Sequence, residues 1–246
     1  MLVKVTVKYD GSHYFGWQTQ NGKRKFKTIA AVVNKAVSTI NKRSTEVVAS
    51  GRTDRGVHAL GQVFHFENDY LIPTVRLKNA LNNALPDDIE VIDIIEVKDD
   101  FHARFSAKSK EYHYYLNTGE YDLFKKDYIT QYNKHLDYEL MLEASKLLIG
   151  THDFTSFNAT SELEKSNQIR TITKLNIIKK ADLFIFEIEG NSFLRHMVRM
   201  LVGMLVYIGA QKYDIEDLKK LLNNEESLLA PFNIEPNGLY LYKVNY

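Results

Sequence analysis

The feature that most constrains this chain is the order in which its hydrophobic period changes. Val3, Val5, Val7 and Tyr9 alternate with polar residues, the period of a strand with one buried face. After Thr28, which suits a helix cap, Ile29, Val32, Val33, Ala36, Val37 and Ile40 recur at helical spacing. Strands over 46–49 and 62–67 follow. Pro73 then opens a helix with Val75, Leu77, Ala80, Leu81 and Ala84 as its apolar positions, stopped near Pro86, and a buried strand runs over 89–97. That order is βαββαβ, and the rest of the chain repeats it: strand 111–116, helix 138–149 ended by Gly150, strands 169–179 and 183–189, helix 193–208 and strand 239–244. An additional helix, 215–222, starts after a cap at Asp214. The expected fold is α+β, with two ferredoxin-like βαββαβ halves, 1–103 and 104–246, sharing or abutting an antiparallel sheet and holding an active-site cleft between them.

A chain of 246 residues has room for two such cores. The absence of cysteine removes disulfides and thiolate metal sites. The N-terminal residues alternate rather than forming the unbroken apolar core of a signal peptide, and the longest apolar run, Met200 to Ala210, is too short to span a bilayer. A cytoplasmic protein without a membrane segment is expected.

The formal net charge of +1 conceals an asymmetry. Residues 1–60 carry 11 Lys and Arg against 3 Asp and Glu, net +8, and the remaining residues carry 21 against 28, net −7. The basic block contains Lys23-Arg24-Lys25, Lys42-Arg43, Arg52 and Arg55, the footprint either of a polyanion-binding surface or of a solvated face. Beside it, Tyr14 to Gln20 forms a loop with the single tryptophan, Trp17, and with Gln18. Aromatics and amides on such a loop suit base stacking and edge recognition, or an aromatic plug over the core.

Within the same region, Ser50-Gly51-Arg52-Thr53-Asp54-Arg55-Gly56-Val57-His58-Ala59 places one carboxylate between two arginines and two glycines, flanked by strands. Glycine permits sharp turns on either side of Asp54, and a nearby cation favours its ionised form. The plain alternative is a local cap or a surface ion pair. Two later segments supply candidate partners. Glu111-Tyr112-His113-Tyr114-Tyr115 is a strand with Tyr112 and Tyr114 on one face and His113 and Tyr115 on the other. Asn191 to Gly203 reads as an apolar helix carrying Arg195 and Arg199 on a shared face, and an arginine there needs a buried partner. Asp54 is the candidate partner of Arg199.

Other chemistries find no pattern. His58, His65, His102 and His113 lie in separate segments without His-Glu-x-x-His spacing, so no metal site is expected. Glycine-rich phosphate loops and a Gly-x-Ser-x-Gly elbow are also missing.

The Ser50 to Val63 stretch, Tyr9-Asp10-Gly11 with Gly16-Trp17-Gln18, Ala80-Leu81-Asn82 with Leu85-Pro86, Phe101-His102-Ala103-Arg104-Phe105-Ser106-Ala107, His152-Asp153-Phe154 with Ser156-Phe157, Arg170-Thr171-Ile172, Phe193 to Arg199, and Gly238-Leu239-Tyr240-Leu241 together resemble the TruA-type tRNA pseudouridine synthases. The resemblance implies the pseudouridine synthase fold and isomerisation of uridine to pseudouridine at positions 38 to 40 of the tRNA anticodon stem-loop. It further implies no cofactor and a homodimer in which one tRNA contacts both subunits. Carried over by position, Asp54 would be the nucleophile, Arg52 would extrude and hold the target nucleotide, Tyr112 would stack on the uracil and assist proton removal, and Arg199 would pair with Asp54. Trp17, Gln18, His58, Lys23, Arg24 and Lys25 complete the expected substrate-binding set. Arg55, Ile29-Ala30, Lys110 and Pro231-Phe232 depart from the family's usual residues. The competing readings are a tRNA-binding or chaperone module without catalysis and a base-excising glycosylase that also uses an aspartate.

Overall fold

The computed structural model describes residues 1–18, 27–159, 167–225 and 233–246. Lys23, Arg24, Lys25, Pro231 and Phe232 lie outside the described residues. The chain is α+β and forms two compact units, one comprising Met1–Lys108 with Tyr240–Tyr246 and the other Ser109–Leu239.

The first unit begins with β1 (Leu2–Tyr9), α1 (Ile29–Asn41), β2 (Val48–Ala49), β3 (His58–Glu67), α2 (Thr74–Ala84) and β4 (Ile89–Glu96). The alternation in β1 is realised: Val3, Val5, Val7 and Tyr9 are buried. β1 lies between β3 and β4 and is antiparallel to both. β2 pairs with the far end of β3, Val48 opposite His65 and Ala49 opposite Phe64. Thr28 caps α1, its hydroxyl accepting the Ala31 N–H at 3.4 Å.

Two expectations for this unit change. Of the apolar positions foreseen in α2, Leu77 and Leu81 are buried, whereas Val75 and Ala84 are exposed. β4 pairs with β1 and ends the sheet order, so Ile92 and Ile95 are exposed rather than buried. An edge strand covered on one face needs fewer apolar residues than its composition suggested.

The second unit contains β5 (Ser109–Asn117), β6 (Thr130–Gln131), α3 (Tyr138–Leu148), β7 (Gly150–Asp153), β8 (Ile169–Lys180), β9 (Leu183–Gly190), α4 (Met197–Gly209) and α5 (Ile215–Leu222). Its strands run in the order β5-β9-β8-β7, with β6 parallel to β5. Asp137 caps α3 and Asp214 forms a capping box with Asp217 at α5. α4 is buried on every side except at Tyr207, as a helix apolar all round should be. At its end a Cβ on Gly209 would come within 2.7 Å of the Met141 side chain, so glycine allows α3 and α4 their close approach.

α4 starts at Met197, four residues after the expected Phe193, because His196 sits in the left-handed region with φ of 61°. Arg195 therefore precedes the helix and does not share a helical face with Arg199. The closing strand, β10 (Leu239–Asn245), runs parallel to β3, with Tyr240 opposite His58 and Leu241 opposite Ala59. It occupies the β3 edge that β2 also uses, at the opposite end. Among the described residues, no helix is long and apolar enough to cross a membrane.

Candidate active site

Asp54 stands on the connection between β2 and β3, half-buried, with Arg52 and Arg55 exposed on either side. Its position is determined by two clamps on the backbone around it. On the incoming side, the Ser50 N–H donates to Val63 O at 2.8 Å, and the fully buried Gln62 amide donates to Gly51 O at 3.1 Å. The Ser50 hydroxyl is 2.7 Å from Gln62 Oε1. Gly51 is not among the left-handed glycines, so its service here is to the Gln62 bond rather than to a special backbone angle.

The outgoing side is clamped by the 10–17 segment. The Trp17 N–H donates to Thr53 O at 3.1 Å, the Gly56 N–H to Tyr14 O at 3.3 Å, and the Gly11 N–H to His58 Nδ1 at 3.1 Å. A Cβ on Gly16, whose φ is +81°, would meet Thr53 O at 2.4 Å, and one on Gly11 would meet Val57 O at 2.0 Å. These glycines permit backbone to lie against backbone. Gly56, at φ of 77°, completes a turn in which the Val57 N–H donates to Asp54 O at 3.2 Å. Beneath the loop, Tyr9 Oη and Thr53 Oγ1 are 2.7 Å apart and buried. Burial drives the Tyr9 phenol well above its ordinary range, so it remains a neutral hydrogen-bonding group.

The flanking residues divide by exposure. Arg52 is exposed and, among the described residues, forms no ion pair. Arg55 places its guanidinium 4.3 Å from the Phe15 ring centroid, a cation–π contact that gives this departure from the family pattern a local use. Gln18 is exposed. Trp17 is 3% exposed, packed between Tyr9 and Phe64, and His58 is 1% exposed, stacked on Tyr240 at 4.6 Å. Both were expected at the substrate; in this structure their rings serve the core and the loop support, because Trp17 lies on the inner side of the clamp and His58 begins β3.

In the second unit, Tyr112 lies on β5 opposite Ile188, buried, with its ring edge-on to Phe193 at 5.2 Å. His113 and Tyr115 share the other face, as alternation requires, and His113 Nε2 reaches Glu111 Oε1 at 3.0 Å. Arg199 is 9% exposed in the first turn of α4 and donates from Nε to Ile234 O at 2.7 Å. The next residue of that segment, Glu235, offers its carbonyl to the buried Tyr114 hydroxyl at 2.8 Å. The 234–235 backbone is thus tied both to α4 and to β5. Sequence reasoning did not foresee this contact, since nothing in Ile234-Glu235 has a helix or strand period.

The first unit of this α+β protein thus presents a half-buried carboxylate on a loop held by backbone clamps, and the second unit carries a buried tyrosine on β5 and a buried arginine on α4. The chain belongs to the tRNA pseudouridine synthase family, whose model matches residues 5–106 and 144–246. Relatives named tRNA pseudouridine synthase A include one from Exiguobacterium sp. (strain ATCC BAA-1283 / AT1b), 41% identical over 245 residues, covering 99% of this chain and 97% of that one. Another, from Bacillus licheniformis, is 42% identical over 249 residues, covering 100% and 99%. A third, from Thermoanaerobacter pseudethanolicus, is 39% identical over 245 residues, covering 99% of each.

Proposed function

We propose that this protein isomerises uridine to pseudouridine in tRNA, at positions 38 to 40 of the anticodon stem-loop, with Asp54 as the nucleophile. The observation that carries the reading is the double clamp on the Asp54 loop, which presents a half-buried carboxylate beside an exposed Arg52. Pre-set placement of a reacting group is what a covalent mechanism requires.

The reaction breaks the N1–C1′ bond, turns the uracil and joins C5 to C1′. The C5 proton leaves and N1 gains one, so no atom is gained or lost overall and no cofactor is needed. Asp54 supplies the electron pair that holds the substrate covalently, through C1′ or C6, and regains it on release. Arg52 enters beside the extruded nucleotide and contacts its backbone. Tyr112 packs on the uracil and assists removal of the C5 proton, which passes to solvent. Arg199 is assigned as the cation that keeps Asp54 ionised. We place Gln18 with the RNA and leave Trp17 and His58 out of the contact set. A cytoplasmic homodimer, with one tRNA touching both subunits, completes the proposal.

The test is an anticodon stem-loop RNA tritiated at uracil C5. Tritium release with a new carbodiimide-reactive nucleotide and unchanged RNA mass is expected. Release of free uracil would instead make the protein a glycosylase, and binding without either product would make it a tRNA-binding module.

A further inference from the structure

The segment after β4 carries a ring that the proposed chemistry does not use. Phe105 is 76% exposed, yet it does not sit on a loose loop. The His102 N–H donates to the Ser106 hydroxyl at 3.0 Å and the Ser106 N–H to His102 O at 2.8 Å. Both the Arg104 and Phe105 N–H groups donate to His102 Nδ1 at 3.2 Å. From below, the Ala103 N–H donates to His65 Nδ1 at 3.0 Å, and its carbonyl accepts from the Tyr246 hydroxyl at 2.7 Å. Every residue from 102 to 106 is therefore held by at least one hydrogen bond.

The ring itself is backed on one side. The His102 imidazole centroid is 4.3 Å from that of Phe105 at an interplanar angle of 31°, and the Arg104 guanidinium is 5.6 Å from the ring centroid. His102 rests in turn on His65, at 5.1 Å, and His65 on Phe101. With His102 behind it and three quarters of its surface in solvent, Phe105 presents an open face. Single exposed apolar residues are ordinary. A fixed aromatic with an aromatic backing and a cation at its side is what single-stranded nucleic acid uses, because every base has a face to stack and the ring loses little freedom on binding.

We propose that Phe105, with Arg104 beside it, is a stacking platform for one unpaired nucleobase of the RNA substrate. This rests on tRNA being the substrate and adds a contact to those assigned around Asp54. Arg104 and Lys108 are exposed and, among the described residues, form no ion pair, so both can meet the phosphates that flank the stacked base. Asp99 and Asp100, at the start of the same segment, oppose a general grip on the backbone. The contact accordingly depends on the ring and one guanidinium, and it favours a base over a phosphate run.

The test measures binding rather than turnover, so it stands apart from the tritium assay, which by itself decides the isomerase reading. Affinities are determined for an unmodified tRNA transcript and for transcripts carrying single abasic sites at each unpaired position, using wild type, Phe105→Ala and Phe105→Trp. Phe105→Ala should bind the intact transcript about ten-fold more weakly, with an unchanged melting temperature, and Phe105→Trp should restore binding. One abasic position should weaken wild type by a similar factor and leave Phe105→Ala unaffected. Equal affinities for wild type and Phe105→Ala would overturn the proposal. So would a loss in Phe105→Ala that accompanies dissociation of subunits in sedimentation and is the same for every abasic transcript, since the ring would then face a second copy of the chain.

Discussion

The hydroxyl of Tyr9, the last residue of β1, lies 2.7 Å from the hydroxyl of Thr53, the residue immediately before Asp54, with both groups buried. The end of a core strand is thereby joined to the neighbour of Asp54, the proposed nucleophile. Tyr9→Phe removes one partner and leaves the Thr53 hydroxyl buried. The expected cost is about 1–3 kcal/mol in urea unfolding. Turnover should fall while tRNA affinity stays near wild type. An unchanged unfolding midpoint and unchanged turnover would show that Thr53 finds another partner at no cost.

Gly16 is the point at which the 10–17 segment presses on the Asp54 loop. Gly16→Ala adds a Cβ that would stand 2.4 Å from Thr53 O, at a φ of +81° that alanine rarely adopts. The neighbouring atom is backbone, so the loop must shift. A displacement on the order of 1 Å at a reacting group is worth about 100-fold in rate, and kcat/KM should fall by that order in a protein that still unfolds cooperatively. Wild-type kinetics in this variant would argue that the clamp does not position Asp54.

For Arg199 the measurement is stability and activity together. Arg199→Ala leaves the Ile234 carbonyl without its donor and removes a cation that is 9% exposed. If Arg199 is the counter-ion of Asp54, as proposed, its loss leaves a half-buried carboxylate unpaired, and the cost is at most the roughly 3–5 kcal/mol of a fully buried pair. A lower urea midpoint and no detectable tritium release are expected. A stable, active Arg199→Ala protein would remove it as the counter-ion of Asp54.

His65 makes the first unit sensitive to acid. Burial, with His102 adding to it, lowers its pKa below the ordinary 6.5, so the folded state holds it neutral. The unfolded chain takes up that proton first, so the contribution is fully present above about pH 6.5 and is lost as pH falls towards the folded-state pKa. Protonation also takes away the Nδ1 acceptor that Ala103 uses. The fall in urea midpoint below about pH 6.5 should be shallower in His65→Asn than in wild type. Parallel curves would exclude His65 as the source.

The periodic parts of the chain were legible because burial on one face imposes the period. Val3 to Tyr9, the Thr28 cap with α1, and the Asp214 cap with α5 are placed as their residues indicate. The place of Asp54 on a loop between β2 and β3 was legible from the glycines and strands around it, whereas its proposed role rests on the resemblance, since the residues alone fit a local cap or a surface ion pair equally. What escaped was decided by distant partners. The late start of α4 depends on one residue, His196, entering the left-handed region, and the parallel pairing of β10 with β3 joins Tyr240 and Leu241 to His58 and Ala59, far apart in the sequence. The glycines that matter most to the loop, Gly11 and Gly16, precede it by about forty residues, and only the contact with Val57 and Thr53 reveals their purpose. Trp17 could equally have been a stacking residue or a core plug, and neither spacing nor charge could separate the two before its neighbours Tyr9 and Phe64 were known.

The most direct measurement is single-turnover tritium release by Asp54→Asn beside its affinity for the same anticodon stem-loop RNA. The substitution keeps the size of the side chain and removes the charge and the nucleophile. The expected result is no release above background, with binding within a few-fold of wild type and an unchanged melting profile. Release at a rate near wild type would contradict the assignment of Asp54 as the nucleophile, and with it the reason given for the clamped loop.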